Sequence, residues 1–386
     1  MRIAMFSWET LHSCNVGGVA AHVTELAAAL ERRGHEVHVF TRPTYGYGGI
    51  FEIDGVHYHY CPHDLRPDIV EEVQEMCRSF VWHFFETERH HGRFDVIHAH
   101  DWLASNAMVW IKEVNRGRRA VLTMHSTEYG RSGNQFWGGS SARIRDHERH
   151  GTFCADRVIA VSRALKQELM WMYNLPDWKC APIYNGVPVH KFDGWVDAGT
   201  IKQRYGIGAL DPTVLFCGRL CLQKGPDLLL EAIPGLIRHH PRAKFVFVGE
   251  GHMRAHLEYR AREIGVSHAT RFLGHRNGAE LPEIYKACEA VCLPSRNEPF
   301  GISALEGWAA GKSVVATQSG GPAEFIWHNV TGLRIDPTVD SIGWGIGTLF
   351  TDFAWARWMG QNGRRAAEAI FNWDSIAQQT EGWYQS

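Results

Sequence analysis

The stretch NEPFGISALEGWAAGK (residues 297–312) lies between two strand-like runs, AVCLPS (290–295) and SVVAT (313–317). Together they read as strand, tight turn, helix and strand. One carboxylate, Glu298, falls in the turn, and a second, Glu306, in the first helical turn. Free backbone N–H groups and the positive end of a helix dipole suit such a place to an anionic ligand. Acids there would repel phosphate but accept hydrogen bonds from hydroxyls, which makes sugar and ribose hydroxyls the candidates. A plainer role stays open beside this one. Ser303-Ala-Leu-Glu306 fits a capping box, the serine capping the helix and the glutamate reaching back to the cap N–H.

Outward from that unit, the second half of the chain repeats its pattern. VLFCGRL (214–220) reads as a strand, CLQKGPD follows, and a helix then begins with Pro226 in its first turn, where proline is well tolerated. Arg219 and Lys224 flank the turn. They form either a cradle for a diphosphate, with charge, N–H groups and dipole acting together, or two solvated surface cations. KFVFVGEG (244–251), TRFLGH (270–275) and TGLRI (331–335) supply further strands with helices between.

The first half opens in the same way. Residues 2–8 read as a buried strand, HSCNVGG follows, and residues 19–33 as a helix. Val19, Val23, Leu26, Ala27 and Leu30 recur at helical spacing, with Gly34 as the stop. EVHVFTR (36–42) is the next strand. Gly17-Gly18 lacks the full G-x-G-x-x-G spacing, so a dinucleotide site is not supported. The pair either permits a tight turn or lets backbone N–H groups approach a ligand. Residues 45–55 read as a Gly- and Tyr-rich loop and 56–61 as a strand. Residues 68–90 form an amphipathic helix with Val70, Val73, Cys77, Phe80, Val81 and Phe84 on one stripe. Peripheral contact with a membrane by its aromatic end is conceivable, but the acids nearby favour core packing.

DVIHAHDW (95–102) reads as a strand ending in His98, His100 and Asp101, and AVLTMHS (120–126) as one ending in His125. Carboxyl ends of parallel strands are where α/β proteins place ligands. His98 and His100 share a strand face and, with Asp101, raise the question of a metal. No third correctly spaced ligand is evident, so no metal is expected and structural histidines are the simpler reading. TEYGRSGNQFWGGSS (127–141) reads as an irregular, mobile loop, RVIAVS (157–162) as a strand and 163–173 as a helix. PIYNGVPVHKF (182–192), followed by DGWVDAG, is the best candidate for a linker between domains. The βαβα order in two halves predicts an α/β chain with parallel sheets covered by helices.

Composition agrees with this reading. At 386 residues the chain exceeds one ordinary core and predicts two domains of about 150–200 residues each. A hydrophobic fraction of 45% excludes a disordered chain, and a net charge of −2 without a long basic run excludes nucleic acid as a partner. Nine cysteines with no C-x-x-C, several of them in strand-like runs, point to a reduced compartment, and a cytoplasmic location is expected. No window approaches 18 uninterrupted apolar residues, so neither a signal peptide nor a spanning helix is expected. Fifteen Trp offer flat faces that suit sugar rings, although most will serve packing.

FCGRLCLQKGPDLLLEA (216–232), the two acids eight positions apart in NEPFGISALE, and GGPAEFIWHNVTGL (320–333), in that order, resemble retaining glycosyltransferases of the GT-B fold, family four. The likeness covers nearly the whole chain. The stretch from Gly17 to Thr41, HAHDW, TMHSTEYGR, YNGV and the terminal FNWDSIAQQTEGWY all fall where that family has counterparts, and HAHDW is similar to glycogen and starch synthase relatives in particular.

The resemblance implies two Rossmann-like domains facing a central cleft. The N-terminal acceptor domain would span 1–192, joined by a crossing C-terminal helix at 372–386, and the nucleotide-sugar domain would span 193–371. By motif match, Arg219 and Lys224 would hold the diphosphate and Glu306 the ribose hydroxyls. Glu298 would contact the transferred hexose, with the turn Pro299, Phe300, Gly301 and Ile302. His125 would sit beside the hexose, Gly17-Gly18 near phosphate or acceptor, and His100, Asp101, Glu128 and Arg131 on the acceptor side. His125, Glu298, Arg219 and Lys224 are the catalytic candidates.

The implied reaction moves a hexosyl group, glucosyl first, from a UDP- or ADP-sugar to a sugar, glucan or small-molecule acceptor. It needs no cofactor beyond that donor. No D-x-D acid cluster is present, so metal independence is favoured, with the departing phosphate taking the acceptor proton on the donor's own face. Glu298 as a covalent nucleophile is the alternative mechanism. A nucleotide-sugar epimerase, or a non-catalytic glycan- or nucleotide-binding protein on the same scaffold, are the alternative functions. Pro188 replaces the usual aspartate after Asn-Gly-Val, Gly307-Trp308 stand where Ala and Met are common, and Ser313 replaces a frequent proline. These departures leave the choice of base open.

Overall fold

The computed structural model describes residues 1–14, 17–44 and 47–386. The chain divides into two units, Met1–Asn185 with Trp373–Ser386, and Gly186–Asn372.

Among the described residues the first unit builds one eight-stranded sheet from β1 (Arg2–Ser7), β2 (Glu36–Thr41), β3 (Gly49–Ile53), β4 (Val56–Tyr60), β5 (Val96–His100), β6 (Arg119–Met124), β7 (Arg157–Ala160) and β8 (Cys180–Pro182). The order is β3-β4-β2-β1-β5-β6-β7-β8. The central strands read as continuous apolar runs because helices cover both faces. The Gly18–Arg32 helix buries Val23, Leu26, Ala27 and Leu30. The Ile69–His91 helix is capped by Asp68 and buries Val70, Val73, Cys77, Phe80 and Phe84, leaving Val81 half-buried. Burying each such side chain stabilises the fold by about 1.5–3 kcal/mol.

The loop expected at 45–55 is corrected in part. Tyr45 and Gly46 lie outside the described residues, but Gly49–Ile53 is a strand, antiparallel to β4. Asp54 and Gly55 join the two strands with φ of 52° and 75°. That is the Asp-Gly hairpin turn, whose positive φ at both positions matches the twist of the paired strands.

The terminal helix, Trp373–Gln385, belongs to the first unit. Asp374 pairs with Arg32 and Glu381 with Arg33, while Trp383 Nε1 donates to the Val158 carbonyl at 3.1 Å. No helix of the described residues is long and apolar enough to cross a membrane.

The second unit holds β9 (Thr213–Cys217), β10 (Lys244–Val248), β11 (Thr270–Gly274), β12 (Ala290–Leu293), β13 (Ser313–Thr317) and β14 (Gly332–Ile335). Their order is β11-β10-β9-β12-β13-β14, and every pair is parallel. This is the doubly wound order in which the direction of strand addition reverses between β9 and β12. The two are in register only at Ala290–Val214 and Val291–Leu215, so they part toward their carboxyl ends. Ligands of open α/β sheets bind in the crevice at such a reversal. In the first unit the corresponding place lies between β1 and β5.

The departures at Gly307 and Trp308 have a packing origin. Trp308 is fully buried, donates from Nε1 to the Thr331 carbonyl at 2.8 Å, and meets Phe325 edge-on at 5.5 Å. A Cβ on Gly363 would lie 2.2 Å from the indole, so that glycine makes room for it. A Cβ on Gly307 would come within 2.9 Å of Val291.

Candidate active site

In the second unit the site grows from the loops that follow β9 and β12. After Cys217 the chain passes Gly218 and Arg219, makes a short 3-10 turn at Leu222–Lys224, and enters the Pro226–His239 helix. Arg296, from the loop after β12, locks this turn by pairing with Asp227 at 2.6 Å and donating to the Leu222 carbonyl at 2.9 Å. Lys224 is thereby aimed at Glu298. Its Nζ lies 2.8 and 2.9 Å from the two carboxylate oxygens, and Ser295 Oγ donates to one of them at 2.8 Å. Glu298 is 4% exposed, and its partner Lys224 is half-buried. Its backbone is clamped as well. Glu298 N donates to the Ser319 carbonyl, Gly321 N to the Glu298 carbonyl, and Gly320 (φ +103°) passes so close that a Cβ would lie 2.1 Å from that oxygen.

The helix after this turn is Ile302–Ala309. The capping-box reading is corrected here. Gly301, φ +97°, is the cap, no side chain among the described residues caps the helix, and Ser303 is already the second helical residue. Ala304 N donates to the Gly301 carbonyl at 2.9 Å, so the N–H groups of Ile302 and Ser303 are the ones without an intrahelical acceptor. Glu306 lies in the second turn, not the first, and accepts from Tyr285 Oη at 2.6 Å. Burial pushes its pKa up to about 7. Arg219 is exposed, with one hydrogen bond to Gln223 Oε1 at 3.3 Å. The unit thus brings together a cation bound to an acid, an exposed cation, an uncapped helix start and a proton-holding acid. Charge for an anion and acceptors for hydroxyls share one sheet edge.

The first unit places its candidates differently. Gly17 caps the Gly18–Arg32 helix, but its N–H already donates to Glu9 Oε2 at 2.8 Å. His100 ends β5 fully buried, and its Nδ1 lies 3.3 Å from Nε2 of His125, the residue after β6. His98 has both nitrogens engaged, by Tyr384 Oη and Thr123 Oγ1, each at 2.7 Å. It is the satisfied structural histidine of the pair.

Asp101 opens the next helix at φ 62°, a conformation rare outside glycine, and is 5% exposed. Arg131 reaches Asp101 at 3.4 Å and Glu128 at 3.3 Å, and pairs with Glu148. The loop expected at 127–141 therefore begins as the helical turn Glu128–Arg131, capped by Thr127 Oγ1, and by Ser140 the next helix has started. Order there comes from Glu148, which also accepts from Glu128 N at 2.8 Å and from Tyr173 Oη.

Sequence reasoning missed Glu148, Tyr285, Ser295 and His22. For Glu148 a signal existed: Ile144, Glu148, Gly151 and Thr152 are buried at helical spacing, which puts an acid on the inward face of a helix that otherwise reads as charged surface. His22 likewise sits among buried residues of its helix, accompanied by Asn185.

Comparison with known proteins gives the same outline. Two family models match, Glycosyltransferase Family 4 over residues 16–191 and Glycosyl transferases group 1 over residues 197–366. An uncharacterized glycosyltransferase of Methanocaldococcus jannaschii is 35% identical, with 100% of this chain and 98% of that one covered. A glycogen synthase of Mycobacterium tuberculosis is 29% identical, covering 100% and 94%. Among solved structures, sucrose-phosphate synthase from Thermosynechococcus elongatus superposes with a TM-score of 0.85 at 25% identity, covering 100% of this chain and 98% of that one.

Proposed function

The chain belongs to the GT-B glycosyltransferases of family 4, and from that premise we propose that it transfers a hexosyl group, glucosyl first, from a UDP- or ADP-sugar to a sugar, glucan or small-molecule acceptor with retention. The observation that carries this reading is the buried Glu298 paired with the half-buried Lys224 at the β9–β12 reversal, with Arg219 following the same strand β9.

Breaking the bond between the anomeric carbon and the diphosphate puts negative charge on the leaving group. Arg219 and Lys224 meet that charge as it develops, which is how preorganised cations lower such a barrier. Donor binding gives Lys224 a phosphate partner in place of the carboxylate and releases the Glu298 oxygens to hexose hydroxyls. Glu306, once deprotonated, accepts from the ribose hydroxyls, with Tyr285 holding its other side. The uncapped start at Ile302 adds N–H groups and dipole. His125 is assigned to the transferred hexose, and His100, Asp101, Glu128 and Arg131 to the acceptor side.

Geometry also weighs on the mechanism. With the donor bound, the Glu298 oxygens are taken up by hexose hydroxyls and by Ser295 Oγ, a poor setting for a nucleophile. The acceptor hydroxyl therefore bonds to the anomeric carbon on the face the phosphate leaves, and its proton passes to the departing phosphate oxygen. The diphosphate charge is met by side chains, so transfer is expected to persist in chelator.

The test is a screen of UDP- and ADP-hexoses against glucan, monosaccharide and polyol acceptors, with the product anomer read by NMR. A product that keeps the donor's anomeric configuration is expected. A protein that neither binds a nucleoside diphosphate nor consumes any nucleotide-sugar ends the proposal. An isomerised donor formed without acceptor would replace it with an epimerase.

A further inference from the structure

The edge of the first unit's sheet where β5 and β6 end holds three imidazoles on three separate elements. His22 comes from the Gly18–Arg32 helix, His100 ends β5 and His125 follows β6. One nitrogen from each lies within 4.8 Å of the other two. His22 and His100 are 2% and 0% exposed, whereas His125 is partly open. The Nε2 atoms of His22 and His100 are buried with no hydrogen-bond partner among the described residues. The orphaned His22 Nε2 is the one that counts here, because a buried ring nitrogen is costly to keep without something to bind it.

We propose that His22, His100 and His125 form a three-histidine site for one transition-metal dication of the zinc class. The spacing fits. Zinc–nitrogen bonds of about 2.0–2.1 Å put two nitrogens of a tetrahedral set about 3.3–3.4 Å apart, and His100 Nδ1 and His125 Nε2 are 3.3 Å apart. The His22 nitrogen lies within 4.8 Å of the other two ligand atoms, and binding draws those two edges in to the tetrahedral spacing. The supporting contact is also in place. His22 Nδ1 donates to Asn185 Oδ1 at 2.7 Å, which fixes the tautomer and leaves a lone pair on Nε2. Metal-ligating histidines are typically held in this way. Burial keeps all three rings neutral, the form that binds metal. Three histidines leave a fourth position for solvent or a ligand on the His125 side. A second group, Glu36, His38 and His91, is less suited, because Glu36 Oε1 already pairs with Arg2 at 2.8 Å.

The consequence for activity rests on the transfer reaction proposed above: an ion held by His125 withdraws that ring from the sugar, so zinc inhibits. Binding itself is independent of that reading and is measured without turnover. Chelator-treated protein is titrated with Co²⁺ and followed by visible absorption, and with Zn²⁺ by calorimetry. One equivalent with the intense d–d bands of four-coordinate cobalt is expected. His22→Ala removes that site, Asn185→Ala weakens it about 10–100-fold through the lost supporting bond, and His91→Ala leaves it intact. Should His22→Ala fail to fold, the wild type and Asn185→Ala decide. Absence of four-coordinate bands in the wild type, or affinity unchanged by Asn185→Ala, overturns the site. Sites that bind while no transferase activity is found would leave this inference standing and fell only the reaction.

Discussion

Where β9 and β12 part in the second unit, the side chains beyond them are charged, and Lys224 and Glu298 hold each other. At the carboxyl ends of the first unit's strands, His100 closes β5 and His125 follows β6, and burial keeps both neutral. Behind them the Arg131–Glu148 pair closes the polar interior. The sheets are built on one plan and differ in what stands at their strand ends, an ion pair against a group of neutral imidazoles. Topology decides where a site can be, and the loops decide what it binds. An ion pair that can exchange partners suits a charged diphosphate. Neutral imidazoles suit a hydroxyl or a metal.

The largest effect should come from breaking the first unit's network. Glu148→Ala takes the most buried of three acids from Arg131 and the acceptor from Glu128 N and Tyr173 Oη, which should cost about 3–5 kcal/mol, measured by urea unfolding. A loss under about 1 kcal/mol, the worth of a surface pair, would show that the network is not structural. In the second unit, Lys224→Ala should lower kcat about 10²–10³-fold. It also strands Glu298, so Tm falls with it. Pairing Lys224→Met with Glu298→Gln should restore Tm without restoring turnover, which separates the two roles. A rate within threefold of wild type would remove Lys224 from catalysis.

Glu306→Gln should weaken nucleoside diphosphate binding about 10–100-fold, the worth of a hydrogen bond to a charged group. In the wild type, that affinity should rise with pH through about 7 as the carboxylate forms, and the glutamine variant should be flat. A pH-independent wild type would contradict the assigned ribose contact.

The smallest effect is a difference in pH response between the units. His22, His38 and His59 are lowered to about 4, about 4 and about 3 by burial, so the unfolded chain binds more protons between those values and 6.5. Their contribution to stability is lost as pH falls through that window. Glu306 has the opposite sign: raised from 4.5 to about 7, it holds its proton when folded, and its contribution falls as pH rises across that range. Hydrogen exchange on the full chain between pH 5 and 6.5 should therefore show first-unit peptides gaining more protection with rising pH than those around Ile302–Ala309. Equal gains would erase the electrostatic contrast.

Much of the fold was legible because parallel sheets impose strong local patterns. Val19, Val23 and Leu26 marked a helix, and residues 214–220 marked a strand, through periodicity alone. β3 was not legible, because its exposed residues Ile50, Phe51 and Glu52 lack the alternation of a half-buried strand, and its Asp54-Gly55 turn was read as part of a loop. In the site, Arg219, Lys224 and Glu298 stood out as charges in the turns after apolar strands, and Glu306 as an acid in the helix that follows one. Their partners did not. Ser295 and Tyr285 carry no charge, and Tyr285 lies 21 positions from the acid it holds.

The sequence by itself determined the α/β architecture, the family and the residues at the strand ends, since periodicity and motif order are local properties of the chain. Only the tertiary structure decided what those residues are bound to. Lys224 meets Glu298 across 74 positions, Arg131 meets Glu148 inside the fold, and His22 comes to lie with His100 and His125. Each pairing depends on removal from water, and burial is set by how distant segments pack, which no local pattern records.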